Sequence, residues 1–529
     1  MTSPEPPAWC HWRRGRSAVL VIAPHGGRRP PASHETPGRG GRRVNDLYTA
    51  ELADELVDAL GAACVVNRSL DRNQLDLNRI SQVTARAAWF LALIEELLDD
   101  ILAHHRRAEV LFVHGWNVIQ PKCDIGVGHA LTDAAAAVQH GEALTVSPGY
   151  AAERLAVLQS GCAAVGIATT FGQRYAARHP NNLLQLFRHG AVRPAPARLA
   201  AWTAERRVEA VQLELGVALR WPGAYRHAFV NAARAAFNGA GRTAPSRSAA
   251  ARHPCADGRP GRRDDAAAMP GTLQLYDPRA AIGLTARVDR TAAHTAGRLL
   301  LFLGGERLAL FLGEDPYGAG PAREGPHFTP EPDGVRLRFD GPALAADDGA
   351  LFVDLEQGFA ASRLCPVAVD LLFRPGLSPD YGAATGWIEV DARRCQIDTH
   401  AFARHGVLQG AASAWSSHLT LSAAFGPGRA VRVRHEFPGS GGTLHELTAS
   451  GEVVSPLAGL NIRFDRDRNS PEQIRIGSDV ALLCQPLSRM VITRPLPPHR
   501  QARVTFGTAR FTYAGSEGFG FYEYGRAPV

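Results

Sequence analysis

Two histidines follow short apolar segments and stand directly before glycine. His25 follows the segment 18–23 and precedes Gly26, and His114 follows the segment 110–113 and precedes Gly115. Glycine allows the backbone to turn sharply and leaves each imidazole at the exit of a predicted strand. Ligands bind beyond the carboxyl ends of the strands in such sheets, so this position favours a functional side chain, although either histidine could be a capping or packing residue.

Asp46 is a carboxylate that could join the two histidines. It stands at the start of a predicted helix over residues 46–60, where an acid is also favoured as an N-cap or by the helix dipole. Two histidines and one carboxylate at one edge of a sheet would make a catalytic zinc site with a fourth position open for water. Both interpretations of Asp46 stay open from the residues alone, and Glu35 and Glu51 are reserve ligands.

Three further polar residues could act beside such an ion. Asn78 and Arg79 end the polar segment 71–79 and could hold a carboxylate by charge-assisted hydrogen bonds. Glu214 lies among apolar residues of a predicted strand, where an acid is costly unless it is paired or functional, and it could be a general base. The alternatives are a surface loop with an internal Asp–Arg pair and an edge strand with a polar face.

The order of these motifs resembles a known family. The chain contains PHGG, NDLYTAEL, RNQLDLNR, a strand followed by HG, and VQLELG, in this order. Over residues 17–238 it resembles the N-formylglutamate amidohydrolase family, and more distantly the zinc carboxypeptidases and the aspartoacylase and succinylglutamate desuccinylase group. The resemblance implies a zinc-carboxypeptidase-like fold of three layers around a mainly parallel or mixed sheet.

The same resemblance implies a role for each candidate residue. It implies that His25, Asp46 and His114 are the three ligands of one Zn²⁺ ion, and that Asn78 and Arg79 bind the substrate carboxylate. It also implies that Arg72 polarises the scissile carbonyl and that Glu214 activates water. Two positions depart from the family pattern. His114-Gly115-Trp116 replaces an Asp-Leu-His-Ser-type segment, which alters the pocket floor, and Asn45 replaces a glutamate before Asp46, which leaves Asp46 as the preferred acidic ligand.

The elements that must position these residues belong to two different regions. An α/β domain is predicted over 1–238, because short β-branched segments alternate with helical patterns in a way that indicates a mainly parallel or mixed sheet. Residues 239–271 are rich in Gly, Pro, Ser and charge and predict a linker. Beyond them, many short strands separated by turn residues predict two β-barrels or sandwiches, over 272–380 and 381–529.

The β region carries a second resemblance. Residues 386–391 read G-x-I-x-V-D and residues 518–526 form a glycine-aromatic-Glu-Tyr segment, which look like the paired lipocalin-like barrels of the AttH and hydroxyneurosporene hydratase type. Members of that type act on apolar isoprenoids or have no assigned activity. The barrel interior could be filled by aromatic side chains, or it could hold an apolar ligand with His400, His405 or Glu523 as polar anchors.

Composition adds limits on partners and compartment. The 529 residues are 45% hydrophobic and 21% charged, with a net charge of +7, and Lys122 is the only lysine, so arginine supplies the other 57 basic groups. That bias suggests a GC-rich genome and gives no argument for nucleic-acid binding. The eight cysteines form no CxxC pair, which favours reduced, buried thiols in a cytoplasmic protein. The segment 18–23 is too short for a signal peptide or a membrane span.

Two functional hypotheses follow. In the first, the protein is a zinc-dependent amidohydrolase that cleaves an N-acyl amino acid, such as an N-formyl one, or a related acidic amide, with a small anionic molecule as substrate. In the second, the β region is a binding or isoprenoid-modifying module and the N-terminal hydrolase fold is accessory or inactive. The first hypothesis requires the three predicted ligands to converge within about 4 Å of one point, because zinc–ligand distances are near 2 Å.

Overall fold

The chain folds into two compact units. In this computed structural model, residues 1–37 and 42–254 belong to the first unit, and residues 38–41 and 255–529 belong to the second. The structure describes residues 6–28, 43–190, 196–238, 270–290, 295–315, 325–405, 417–437, 442–457, 460–464, 471–476, 482–496 and 500–526. The reserve ligand Glu35 and positions 239–269 of the predicted linker lie outside these residues, and the last two linker positions already belong to a strand.

The first unit is built on a seven-stranded mixed sheet. Its strands are β1 Cys10–Arg13, β2 Val19–Ala23, β3 Ala63–Asn67, β4 Ala108–Gly115, β5 Lys122–Gly126, β6 Ala168–Thr170 and β7 Val208–Leu215, in the order β1-β3-β2-β4-β7-β5-β6. The four central strands run parallel, whereas β1 pairs with β3 and β5 pairs with β7 in the antiparallel direction. The predicted α/β region with a mixed sheet is therefore confirmed.

Helices cover both faces of this sheet. They are α1 Thr49–Leu60, α2 Ile80–Arg86, α3 Ala88–His104, α4 Pro148–Tyr150, α5 Ala156–Ala164, α6 Ala197–Ala204, α7 Val217–Arg220 and α8 Ala224–Phe237. One apolar cluster joins Val113 of β4 to Phe229 of α8, and a second joins its neighbour Phe112 to Phe90 of α3. Successive strand residues point to opposite faces, so the apolar residues 110–113 of β4 supply both clusters.

Helix α1 begins three residues after Asp46, and its packing against the sheet fixes the position of this segment. Its buried residues include Leu52, Leu56 and Leu60, whose spacing forms one apolar face against the sheet. Gly61 ends the helix with a φ of +62°, a left-handed conformation that glycine adopts without steric cost.

The second unit contains two large antiparallel β-sheets. The first consists of β8 Pro270–Asp277, β9 Ile282–Arg290, β10 Thr295–Phe302, β11 Leu308–Asp315, β12 His327–Glu331, β13 Gly334–Ala346, β14 Arg363–Ser378, β15 Tyr381–Val390 and β16 Arg393–His405. Its order is β11-β10-β9-β8-β16-β15-β14-β13-β12, and β11 also pairs with β13. A short helix, α9 Leu355–Ala360, connects β13 to β14.

The second sheet follows the first along the chain. It consists of β17 Ser417–Ala424, β18 Arg429–Phe437, β19 Gly442–Thr448, β20 Gly451–Pro456, β21 Leu460–Phe464, β22 Pro471–Ile476, β23 Leu482–Leu496, β24 Arg500–Tyr513 and β25 Ser516–Arg526. The order is β20-β19-β18-β17-β25-β24-β23-β22-β21. The two large antiparallel sheets confirm the coarse prediction of an all-β region in two parts.

The change from one sheet to the other does not fall at the predicted position. The division between 380 and 381 lies in the tight turn from β14 to β15, where Ser378 pairs with Tyr381 inside the first sheet. The strands change sheet between His405 and Ser417 instead. The Pro-Gly and Pro-Asp pairs at residues 375–376 and 379–380 belong to this hairpin, because proline, glycine and aspartate favour turns.

The described cysteines are free thiols, and six of the seven are buried: Cys10, Cys64, Cys123, Cys162, Cys365 and Cys484. Burial raises the pKa of the Cys10 thiol to about 12 and that of Cys162 and Cys365 to about 11. Within the described part of the chain, none of the helices has the length and apolar character needed to cross a membrane.

Candidate metal centre

Three buried side chains converge at one edge of the first unit's sheet. His114 lies in β4 and His25 follows β2, and these two strands pair in parallel, so their carboxyl ends lie side by side. Asp46 approaches from the start of α1, where its backbone N–H donates to the carbonyl of His25 at 3.0 Å. One nitrogen or oxygen atom from each of the three lies within 4.8 Å of the others. The structure thus brings the predicted ligands together.

The distances within this group suit a small tetrahedral cation. The Nδ1 atoms of His25 and His114 each lie 3.2 Å from the same oxygen, Oδ2 of Asp46. The edge of a tetrahedron with bonds of 2.0 Å is about 3.3 Å, so these two N···O distances are compatible with two ligand pairs around one zinc ion. The two imidazoles meet edge to face with centroids 4.9 Å apart, which aims them at a common point instead of stacking them.

A second carboxylate fixes the orientation of His25. Nε2 of His25 lies 2.7 Å from Oδ1 of Asp76. When Nε2 donates to Asp76, Nδ1 presents a lone pair to Asp46, and two acceptors at 3.2 Å require a proton or a cation between them. His114 differs, because its Nε2 is buried with no hydrogen-bond partner among the described residues. The donor set therefore fits a metal ion.

The charge around Asp46 keeps it ionised. Burial by itself raises the pKa of a carboxyl, but Arg72 and the two imidazoles outweigh this and hold the pKa of Asp46 well below its usual range. Arg72 Nη1 donates to Oδ1 of Asp46 at 2.8 Å. The residue predicted to polarise a carbonyl thus lies directly beside a candidate ligand.

Three arginines surround Asp76. Arg43 Nη1 donates to it at 2.9 Å, Arg79 Nε lies 3.5 Å away and Arg72 Nη2 lies 4.0 Å away. Burial opposes ionisation of Asp76, but the hydrogen bond with His25 and the arginines lower its pKa. Arg72 also pairs with Asp46, so three guanidinium groups face two carboxylates and their sum is positive.

Asn78 connects this cluster to another part of the chain. Its backbone N–H donates to Oδ1 of Asp76 at 3.0 Å, and its own Oδ1 accepts from the backbone N–H of Leu183 at 3.3 Å. Asn78 and Arg79 therefore lie beside Asp76, which in turn contacts the candidate ligand His25. The segment is largely buried rather than a surface loop, although Asp76 and Arg79 do form an internal pair.

Glu214 stands beside the metal group on an interior strand. In the parallel pairing of β4 with β7 its Cα partner is His114, and on the other side its partner is Asp124 of β5. The alternative of an edge strand with a solvent-facing acid is therefore wrong. Burial raises the pKa of Glu214 to about 7, even though His114 and a 2.7 Å hydrogen bond from Nε2 of Gln212 favour the charged form. A carboxyl with that pKa suits a general base near neutral pH.

Motif reading missed several residues that support this site. Asp76 and Gln212 were not singled out, nor was Arg220, which is fully buried and donates to the carbonyls of Leu47, Leu215 and Trp116. Burial lowers the pKa of Arg220 to about 10. The one available signal was an arginine within the apolar segment VALRW.

Gly115 lets Arg220 and Asp46 approach the end of β4. A Cβ atom at this position would lie 2.6 Å from Nη1 of Arg220 and 2.9 Å from the Cβ of Asp46. No other residue fits without displacing one of them. The glycine that follows His114 is thus explained by close packing beneath the metal group.

The reserve ligand and the predicted anchors of the β unit lie elsewhere. Glu51 pairs with Arg28 at 2.5 Å and is not part of the metal group. His400 stacks on Tyr381 and lies on the opposite side of its strand from the buried Ala401. The side chain of His405 lies outside the described residues.

Glu523 has a polar partner within the second sheet. It lies 2.8 Å from Nε2 of His418. Its neighbours Tyr522 and Tyr524 belong to the apolar cluster of that sheet, so Glu523 points to the opposite face. His400, by contrast, stacks on Tyr381 of a buried apolar cluster that also contains Phe402.

Comparisons with known proteins give distant structural likenesses only. No family model matches the chain, and no curated protein matches it. The solved structure of N-formylglutamate amidohydrolase from Ralstonia eutropha JMP134 is similar with a TM-score of 0.29 and 12% identity, covering 44% of this chain and 96% of that one. Kievitone hydratase from Nectria haematococca is similar with a TM-score of 0.31 and 9% identity, covering 48% and 86%. At these values neither likeness carries an argument about function.

Proposed function

We propose that the first unit is a zinc-dependent amidohydrolase that cleaves the amide bond of an N-acyl amino acid or a related acidic amide. One observation carries the proposal: the Nδ1 atoms of His25 and His114 each lie 3.2 Å from one oxygen of Asp46. Glu214, with a pKa raised to about 7, is the strand neighbour of His114. Metal ligands and a base at one sheet edge suit hydrolysis by activated water.

The residues divide the reaction between them. His25, Asp46 and His114 would hold the ion, which lowers the pKa of water and polarises a carbonyl when it is bound. Glu214 takes the proton from water as the water oxygen bonds to the carbonyl carbon. It then passes that proton to the leaving nitrogen as the C–N bond breaks, which yields an amine and a carboxylic acid, and the acid then releases the second proton of the water to the solvent.

The arginine cluster supplies the substrate contacts in this proposal. Arg79 and Asn78 hold the carboxylate of the amino-acid part, and Arg72 stabilises the negative charge that develops on the carbonyl oxygen. Arg72 is well placed for this because its guanidinium contacts Asp46 at 2.8 Å. An uncharged amide would gain neither the carboxylate contact nor its orientation.

Metal analysis together with a substrate screen tests the proposal. We expect about one zinc per purified chain and zinc-stimulated hydrolysis of at least one N-formyl, N-acetyl or N-succinyl amino acid. A His25→Ala/His114→Ala variant should lose both the metal and the activity. Glu214→Gln should keep the metal and lose at least 100-fold in kcat. Glu51→Gln is the matched control and should keep both.

Two outcomes count against the proposal. Wild-type protein without bound metal and without metal-stimulated amidase activity would exclude it. Retention of the metal by the double histidine variant would place the ion elsewhere in the chain.

The β unit has no assigned chemistry in this proposal. We propose that its first sheet closes into a barrel of eight strands, β8–β11 and β13–β16. The pairing of β11 with β13 supports closure, since it joins the two ends of that series. Slow hydrogen exchange of amides in both strands would agree with closure, and rapid exchange would contradict it.

A further inference from the structure

We propose that Asn182 and Gln212 are positioning residues that link the carboxylate-binding segment to Glu214, so that a bound substrate carboxylate orients the general base. The inference rests on the proposed function and adds to it a reason for selecting substrates that carry a carboxylate. It concerns neither the metal ligands nor the residues that touch the substrate.

A chain of side-chain amides leads to the base. Nε2 of Gln212 donates to Oε1 of Glu214 at 2.7 Å, and Oε1 of Gln212 accepts from Nδ2 of Asn182 at 3.1 Å. All three residues are buried. A buried amide held at both ends cannot rotate without losing a hydrogen bond, so this chain fixes the orientation of the carboxylate.

The backbone sets the direction of the chain. Oδ1 of Asn182 accepts from the backbone N–H of Leu184 at 2.8 Å, which leaves Nδ2 to face Gln212. The oxygen of Gln212 must then face Asn182, and its nitrogen must face Glu214. Oε1 of Glu214 accepts this hydrogen bond, and we assign Oε2 as the oxygen that takes the proton.

The other end of the chain lies on the segment proposed to bind the substrate carboxylate. Arg79 and Asn182 pair as an isolated antiparallel bridge. The backbone N–H of Leu183 lies 3.3 Å from both the carbonyl oxygen and Oδ1 of Asn78. A carboxylate that immobilises Asn78 and Arg79 therefore also immobilises Asn182 and, through Gln212, the base.

The chain offers a matched control in the neighbouring asparagine. Asn181 lies in the same segment, and its side chain exchanges hydrogen bonds with Ser81 at 2.8 and 2.9 Å. The partners found for its amide do not include Gln212. Asn182→Ala removes the hydrogen bond to Gln212 that connects to the base. Asn181→Ala removes only the hydrogen bonds to Ser81 that hold the same backbone segment.

Kinetics on two substrates separate positioning from general damage. The substrates are N-formylglutamate and its analogue with the α-carboxylate replaced by a carboxamide. Asn182→Ala releases Gln212, so we expect kcat for the carboxylate substrate to fall about 10- to 100-fold, the value of the hydrogen bond from Gln212 to the charged Glu214, with KM changed less than about 3-fold. The carboxamide should lose less than about 3-fold, and Asn181→Ala should change both substrates by less than about 3-fold.

A second variant guards against misfolding. Gln212→Met should reproduce the effect of Asn182→Ala, and the double variant should lose no more than Gln212→Met alone, because both changes break one chain. Equal losses on both substrates, or additive losses in the double variant, would overturn the proposal.

Infrared difference spectra give a readout that does not depend on turnover. Adding N-formylglutamate to metal-free wild type should shift a carboxylate band that is absent from Glu214→Gln, and Asn182→Ala should abolish this shift. No shift in the wild type would overturn the link even in an active enzyme. A shift in a protein without amidase activity would keep the link and exclude the proposed reaction.

Discussion

The raised pKa of Glu214 leads to a stability prediction for the metal-free protein. Glu214 is buried and its pKa is about 7, compared with 4.5 for an ordinary glutamate. Between these values the folded protein holds a proton that the unfolded chain releases. Wild-type stability contributed by this group is therefore complete below pH 4.5 and is lost as the pH rises to 7.

The size of the effect follows from the difference in pKa. A difference of one corresponds to about 1.4 kcal/mol, so the ionised Glu214 costs about 3 kcal/mol above pH 7. Glu214→Gln replaces the carboxyl by a neutral group of the same shape that still accepts from Gln212. We expect the variant to be more stable relative to wild type at pH 8 than at pH 4.5. The difference in free energy of unfolding between variant and wild type should be about 3 kcal/mol larger at pH 8.

Urea denaturation of metal-free protein at several pH values measures this. Six of the eight tryptophans, at positions 9, 12, 89, 116, 202 and 221, lie in the first unit, so fluorescence reports mainly on that unit. Glu205→Gln, at an exposed position, should show no pH-dependent difference beyond about 0.5 kcal/mol. Zinc should shrink the Glu214→Gln difference, because a cation favours the carboxylate. A difference that does not vary with pH would refute the reasoning.

Three further substitutions have expected outcomes. Asp76→Asn should weaken zinc binding about 10- to 100-fold, measured by competition with a chromogenic chelator, because the charged acceptor for Nε2 of His25 is lost; unchanged affinity would contradict the orienting role. Gly115→Ala should destabilise the first unit by more than about 2 kcal/mol in urea, since the new Cβ meets Arg220 at 2.6 Å; wild-type stability would show that the packing can relax. Tyr381→Phe should lower the free energy of unfolding of the β unit alone by about 1 kcal/mol, because a hydrogen bond to a backbone carbonyl is lost. A change in amidase activity in this variant would argue against independent roles of the units.

The part of the site that sequence reasoning reached consists of side chains at strand ends. His25 and His114 follow apolar segments, and parallel pairing of β2 with β4 places both at one edge. Asp46 could not be decided from its helix-start position, because an N-cap acid looks the same in sequence. Its role depends on contacts with both imidazoles, which are 21 and 68 residues away along the chain.

The supporting residues could not be predicted, because they depend on strand order. In the alternative of an edge strand the side chain of Gln212 faces solvent, but β5 pairs with β7 in the antiparallel direction and makes β7 an interior strand. Nothing in residues 122–126 indicates this neighbour. Asp76 lies in a segment for which a surface loop with an internal Asp–Arg pair was an alternative, and its contact with His25, 51 residues away along the chain, has no local signal.

Each unit contains buried cysteines whose rate of alkylation reports how fast that unit opens. A thiol with a raised pKa and no solvent contact reacts with an alkylating reagent only after the surrounding structure opens. Cys64 and Cys162 lie in the first unit, and Cys365 and Cys484 lie in the second. Pulsed alkylation followed by peptide mass spectrometry would therefore time the opening of the two units separately in one full-length chain, without any engineered label.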